Sequence, residues 1–158
     1  MTYVDSTPVI PSDEDPDSPH SLIYQAYADG DLHLGLKYFQ LNQRGSPIYK
    51  LWENILPFAM IAVIVAQYSY DYGLIGFALS LLLTGLLGFY FIPRWLAKRV
   101  RARGMAMAVS GEAGWDELWR AGCLSIRMAD NPDHFADSPQ GDWRAFAREH
   151  LANRSPNA

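Results

Sequence analysis

Cysteine is almost absent from this chain. Cys123 stands alone, so one copy can form neither an internal disulfide nor a thiolate metal cluster, and a lone thiol suits a reducing compartment. Charge is missing from a long stretch: between Leu51 and Ile92 only Glu53 and Asp71 are ionisable acids, and there is no Lys, Arg or His. Proton relays and ion-coupled transporters need ionisable groups at bilayer depth, so this gap argues against both. No GxGxxG, Walker, GxSxG, HExxH or CxxC pattern occurs, which leaves no catalytic or cofactor-binding signature to build on. The N-terminal stretch has no early apolar run and carries Asp5, Asp13, Glu14, Asp15 and Asp17, unlike a secretory leader. A basic face remote from the apolar block is also lacking, which argues against a nucleic-acid partner.

What the sequence does have is concentrated. Across the 158 residues the hydrophobic share is 49%, ordinary for a small soluble domain, but the average conceals one apolar block at 47–93. Ser46-Pro47 is a helix-start signal, and a helix over 47–70 would be about 36 Å long, enough to cross a bilayer with some tilt. A short turn at 69–73 leads into a second charge-free segment, 74–92, ended by Pro93. Two spans joined by so few residues must be antiparallel neighbours. Trp52 and Tyr49 at one end, and Tyr68, Tyr70 and Tyr72 at the other, sit where interfacial aromatic belts form. The turn has no Lys or Arg, whereas Lys37, Arg44 and Lys50 precede the block and Arg94, Lys98, Arg99, Arg101 and Arg103 follow it. The positive-inside rule then places both ends in the cytoplasm and the turn outside. A compact hairpin without a targeting sequence suits a bacterial inner membrane.

The flanks read as helical. Residues 1–17 are an acidic, Pro- and Ser-rich tail too polar to order itself. Residues 18–46 give a short segment opened by Ser18-Pro19 and broken at Asp29-Gly30-Asp31, then an amphipathic helix from Leu32 to Arg44 with Gly45 as its stop. Residues 94–109 continue as a basic juxtamembrane helix. Residues 110–158 read as a small Trp-rich hairpin, with one helix near 112–128 and another opened by Ser138-Pro139. Each flank alone would have a thin core, so they are expected to lean on the membrane, on each other or on a partner.

Candidate residues fall into three groups. Gly76, Ser80, Thr84 and Gly88 form a small-xxx-small stripe in the second span, and Ala59, Ala62 and Ala66 offer small residues in the first. In lipid such residues let helix backbones approach closely, so the stripes either face each other or leave one side for another subunit. Arg94, Lys98, Arg99, Arg101 and Arg103 are expected at anionic lipid headgroups. Trp115, Trp119, Trp143 and Phe146 are core if buried and a protein-binding patch if exposed. Glu53, beside Trp52, is expected to stay wet at the interface, and Cys123 to be a small buried residue. His33, His134 and His150 have no recognised ligand spacing. The sequence therefore reads as an all-α membrane protein: a transmembrane hairpin with short juxtamembrane and cytoplasmic helices. It is expected to have no enzymatic activity, metal or cofactor, and to serve as an accessory or scaffold that presents cytoplasmic helices to a protein partner or to its own copies. A homo-oligomeric pore lined by Ser80, Thr84 and Gln67, and a membrane-bound metal enzyme, are the rivals.

Overall fold

The Ser18-Pro19 signal starts α1, Pro19–Asp29, as its chemistry requires. Ser18 Oγ accepts from the Ser21 N–H at 3.1 Å, and Pro19 occupies the first turn, where no donor is needed. Gly30 ends the helix with φ 84°, a left-handed position that glycine takes without steric cost. The computed structural model describes Asp15 and residues 17–152; most of the acidic tail read at 1–17 lies outside the described residues. Beyond α1 the chain runs through β1 (Leu32–Leu36), a single turn α2 (Tyr38–Leu41), the long α3 (Leu51–Val109), α4 (Glu112–Arg120), β2 (Leu124–Met128), β3 (Phe135–Asp137) and α5 (Trp143–His150).

The protein is mostly helical, but it is not all-α: β1, β2 and β3 form an antiparallel sheet in that order. Two of the expected helices are corrected by this sheet. Residues 32–36 form a strand instead of the first part of a helix, because Leu32, Leu34 and Leu36 alternate with His33 and Gly35. Their inward side chains stand opposite Met128, Ile126 and Leu124. The helix expected near 112–128 stops at Arg120, and Gly122 at φ 74° turns the chain into β2. The last helix starts at Trp143, not at Pro139. Asp142 caps it, accepting from the N–H groups of Arg144 and Ala145.

α3 lies between β1 and β2 in the chain, so the segments before and after it are stitched into one α/β domain. Leu32, Leu124, Ile126 and Met128 on the inner face of the sheet join Ile23, Leu118, Trp115, Trp119, Trp143 and Phe146 in a single core. Leu96, Val100 and Ala108, at helical spacing on the last part of α3, are buried in that core too. Gly104, in register with them, lets α3 approach α2 so closely that a Cβ there would meet Leu41 Cδ2 at 3.3 Å. His20, from α1, donates through Nε2–H to the Ala108 carbonyl at 2.9 Å, satisfying one of the orphan acceptors near the C-terminus of α3. Of the expected alternatives for the flanks, packing on each other is the arrangement found.

The 59 residues of α3 are not one straight rod. Gly73 has φ 61° and ψ −144°, a combination open to glycine almost alone, and it divides the helix into limbs 51–72 and 74–109. Glu53 and Arg103, fifty positions apart, form an ion pair; an unbroken helix would separate them by about 75 Å. A Cβ on Gly88 would meet Ile61 Cδ1 at 3.0 Å, and one on Gly76 would come within 2.4 Å of the Tyr68 carbonyl oxygen. The limbs therefore lie side by side. Pro93 does not stop the second limb, which runs on through Val109 into the domain core. Helix α3 is long and apolar enough to cross a membrane, and only 18% of its most apolar 18-residue window is buried.

Candidate functional site

The second limb carries two opposed faces where it meets the domain. One is the buried row Leu96, Val100, Gly104 and Ala108. The other is Arg94, Trp95, Lys98 and Arg99, all exposed and grouped by helical spacing. Burying the first row aims the second away from the domain, toward the foot of the first limb. Trp52, Leu56 and Met60 recur every four residues there, and with Pro57 they supply the opposite wall of a groove of about 820 Å³. Leu56, Met60 and Phe91 give the groove an apolar lining, and Trp52, Trp95 and the three cations complete it.

Aromatic rings hold two of the three cations. The Arg94 guanidinium lies 3.7 Å above the Tyr90 ring, and that of Arg99 lies 4.5 Å above Trp95. Stacking occupies the flat face of a guanidinium and leaves its N–H edge free for an acceptor. Among the described residues no acid pairs with Arg94, Lys98 or Arg99. The other two expected headgroup residues lie elsewhere. Arg101 is exposed outside the groove. Arg103 is turned inward and paired with Glu53. Glu53 itself is buried, not wet as expected, because the second limb covers it and supplies a cation.

The small-residue stripe of the second limb faces the first: Gly76, Ser80 and Thr84 are buried and Gly88 is half-buried. Ser80 donates to the Phe77 carbonyl and Thr84 to that of Ser80, so both hydroxyls are satisfied within their own helix. Ala59, Ala62 and Ala66 lie on the exposed side of the first limb, which turns Ile61, Val65 and Ser69 inward instead. Of the two alternatives open for the aromatic cluster, burial is the one found. Trp115, Trp119, Trp143 and Phe146 are core residues, because α4 and α5 close over the inner face of the sheet. Arg144 clamps those two helices together, donating to Glu112 and Asp116. Hydrogen bonding to Asp116 holds its guanidinium above the ordinary value, with Glu112 adding to this and desolvation opposing it.

His134 stacks on His150 with ring centroids 4.6 Å apart, a parallel arrangement unsuited to sharing one ion; His33 is on the outer face of the sheet. Among the described residues no group of three or more His, Cys, Asp or Glu could hold a metal. Cys123 is fully buried, and burial pushes its thiol up from the ordinary value. Two outcomes follow. Maleimide leaves Cys123 unlabelled at neutral pH in the folded protein and labels it stoichiometrically in urea, which mass spectrometry reads directly. The unfolded chain also loses this proton at lower pH than the folded one, so domain stability falls as pH rises through the thiol range.

Sequence reasoning missed the pairing of Glu53 with Arg103 and the division of labour within the basic segment. The second was legible as the four-residue recurrence of Leu96, Val100, Gly104 and Ala108 among the cations; the first left no signal, since it depends on how the limbs align. No known protein family, curated protein or solved structure matches this chain.

Proposed function

We propose that the chain is a small integral membrane protein whose two helical limbs form a transmembrane hairpin and whose α/β domain lies in the cytoplasm. There it acts as an accessory or scaffold that holds the domain at the membrane surface for a protein partner. The observation that carries this reading is the pairing of β1 with β2 on either side of α3. A chain that leaves a domain through one limb and returns to it through the other crosses a bilayer an even number of times, so both flanks share one side. Exposed Val63, Leu74, Leu86 and Phe89 would be a severe liability in water and are ordinary against lipid. The cations at the foot of the limbs favour the cytoplasm as that side. The unbroken helix through Pro93 joins span and domain stiffly, which suits positioning better than a tethered, mobile head. Ser80 and Thr84, packed between the limbs, are poorly placed to line a pore.

The test uses the silence of Cys123. In sealed cells, an impermeant maleimide labels Tyr70→Cys at the tip, which is exposed, and labels Arg101→Cys only after lysis. Labelling of both before lysis, or extraction of the protein by alkaline carbonate, overturns the membrane topology. Solubilisation in mild detergent then addresses the role. A stoichiometric membrane partner found by mass spectrometry supports the accessory reading, whereas a homo-oligomer that conducts ions in liposomes replaces it with the pore.

A further inference from the structure

We infer that the groove between Trp52, Met60 and Lys98 is a discrete site for one anionic phospholipid of the cytoplasmic leaflet. Its phosphate would sit among Arg94, Lys98 and Arg99, with the upper part of an acyl chain lying on Leu56 and Met60. This inference rests on the transmembrane reading and goes beyond it, since a general attraction of cations to headgroups requires no site.

Three observations select this occupant. The groove joins two chemistries, an apolar lining from Leu56, Pro57 and Met60 and a cationic one from Arg94, Lys98 and Arg99, flanked by Trp52 and Trp95. That is the layout of a phospholipid, and the wall from Trp52 to Met60 extends along about 12 Å of helix. The cations have no acid partner among the described residues, and two of them are held over rings with their N–H edges free, ready for bidentate bonds to a phosphate. The apolar lining, formed by Leu56, Met60 and Phe91, offers no side-chain donor or acceptor. An extended peptide laid there would leave its backbone groups unpaired, whereas an acyl chain has none to pair.

The tryptophans supply the readout. Trp52 and Trp95 line the groove and are exposed, whereas Trp115, Trp119 and Trp143 are buried in the domain and shielded from lipid. The full-length protein is reconstituted in phosphatidylcholine vesicles and titrated with phosphatidylglycerol carrying brominated chains. In parallel it is titrated with brominated phosphatidylcholine. The anionic lipid is expected to quench Trp emission at a mole fraction about tenfold lower than the zwitterionic one. Arg94→Gln/Lys98→Gln/Arg99→Gln is expected to merge the two curves, while Arg101→Gln, outside the groove, leaves them apart. Equal quenching by both lipids in the wild type overturns the site, as does an effect of Arg101→Gln equal to that of Lys98→Gln. Flotation of the vesicles separates this failure from that of the membrane reading. Protein that fails to float was never inserted, whereas protein that floats without preference lacks only the lipid site.

Discussion

Replacing Trp143 by alanine is expected to destabilise the domain by about 3–5 kcal/mol, the range for deleting a large buried aromatic. Equilibrium urea unfolding of the full-length protein in non-ionic detergent, followed by near-ultraviolet circular dichroism, measures this. The indole is 2% exposed, and it packs on Trp115 with ring centroids 5.8 Å apart. Its Nε1–H donates to Asp116 Oδ1 at 3.1 Å, while the Arg144 guanidinium covers its face at 4.4 Å. Alanine therefore removes the apolar contact between α5 and α4 and leaves Asp116 to Arg144 alone. Trp143→Phe separates the two contributions, because it keeps most of the apolar contact and loses the hydrogen bond, worth about 1 kcal/mol. A loss below about 1 kcal/mol for the alanine variant would mean that the indole is not part of the core, contrary to its burial.

That a single core residue matters so much follows from the connectivity. A domain assembled from two short flanks has little apolar area to spare, and a net stability of only about 5–15 kcal/mol is usual for native proteins. Because β1 and β2 come from opposite sides of α3, loosening α5 also weakens what holds the two flanks together. The expected loss is then cooperative: the near-ultraviolet signal and the protection of Cys123 from maleimide should disappear at the same urea concentration.

The apolar block was legible because its signal is long and uniform, and composition alone marks it. Its turn was nearly so: tyrosines and an acid surround Gly73, and helical geometry simply persists through Tyr72 before that one residue departs. The sheet was not legible, for a physical reason. Leu32, Leu34 and Leu36 alternate as in a strand, yet Leu32, Leu36 and Phe39 also recur at the four- and three-residue spacing of a helix face. The arbiter is the partner strand, which is contributed from beyond the whole of α3 and cannot be seen in a local window. Residues 124–128 carry the same ambiguity, since Leu124, Ile126 and Met128 alternate but follow a strongly amphipathic helix without a charged or Pro-containing break. Within the candidate site, Arg94, Lys98 and Arg99 were expected at headgroups by composition, whereas the exclusion of Arg103 depends on its burial against the first limb.

Arg103→Met is expected to cost about 3 kcal/mol, because it leaves the buried Glu53 carboxylate without its cation. Glu53→Gln should cost less, since the stranded arginine is partly exposed and can reach water. The pair is not fully satisfied: among the described residues Arg103 Nη1 is buried with no hydrogen-bond partner. An ion pair with an orphaned donor contributes little net stability, so Glu53→Met/Arg103→Met should lie within about 1 kcal/mol of the wild type. A double-mutant cycle in detergent would show this as a large coupling energy beside a small net effect. If the two single losses simply add in the double variant, Glu53 and Arg103 do not act as a pair. The cycle also bears on the groove, because Glu53 adjoins Trp52 and the pair fixes the foot of the first limb against the second. Arg103→Met should therefore shift Trp52 emission and reduce the preference for brominated phosphatidylglycerol, although Arg94, Lys98 and Arg99 remain in place.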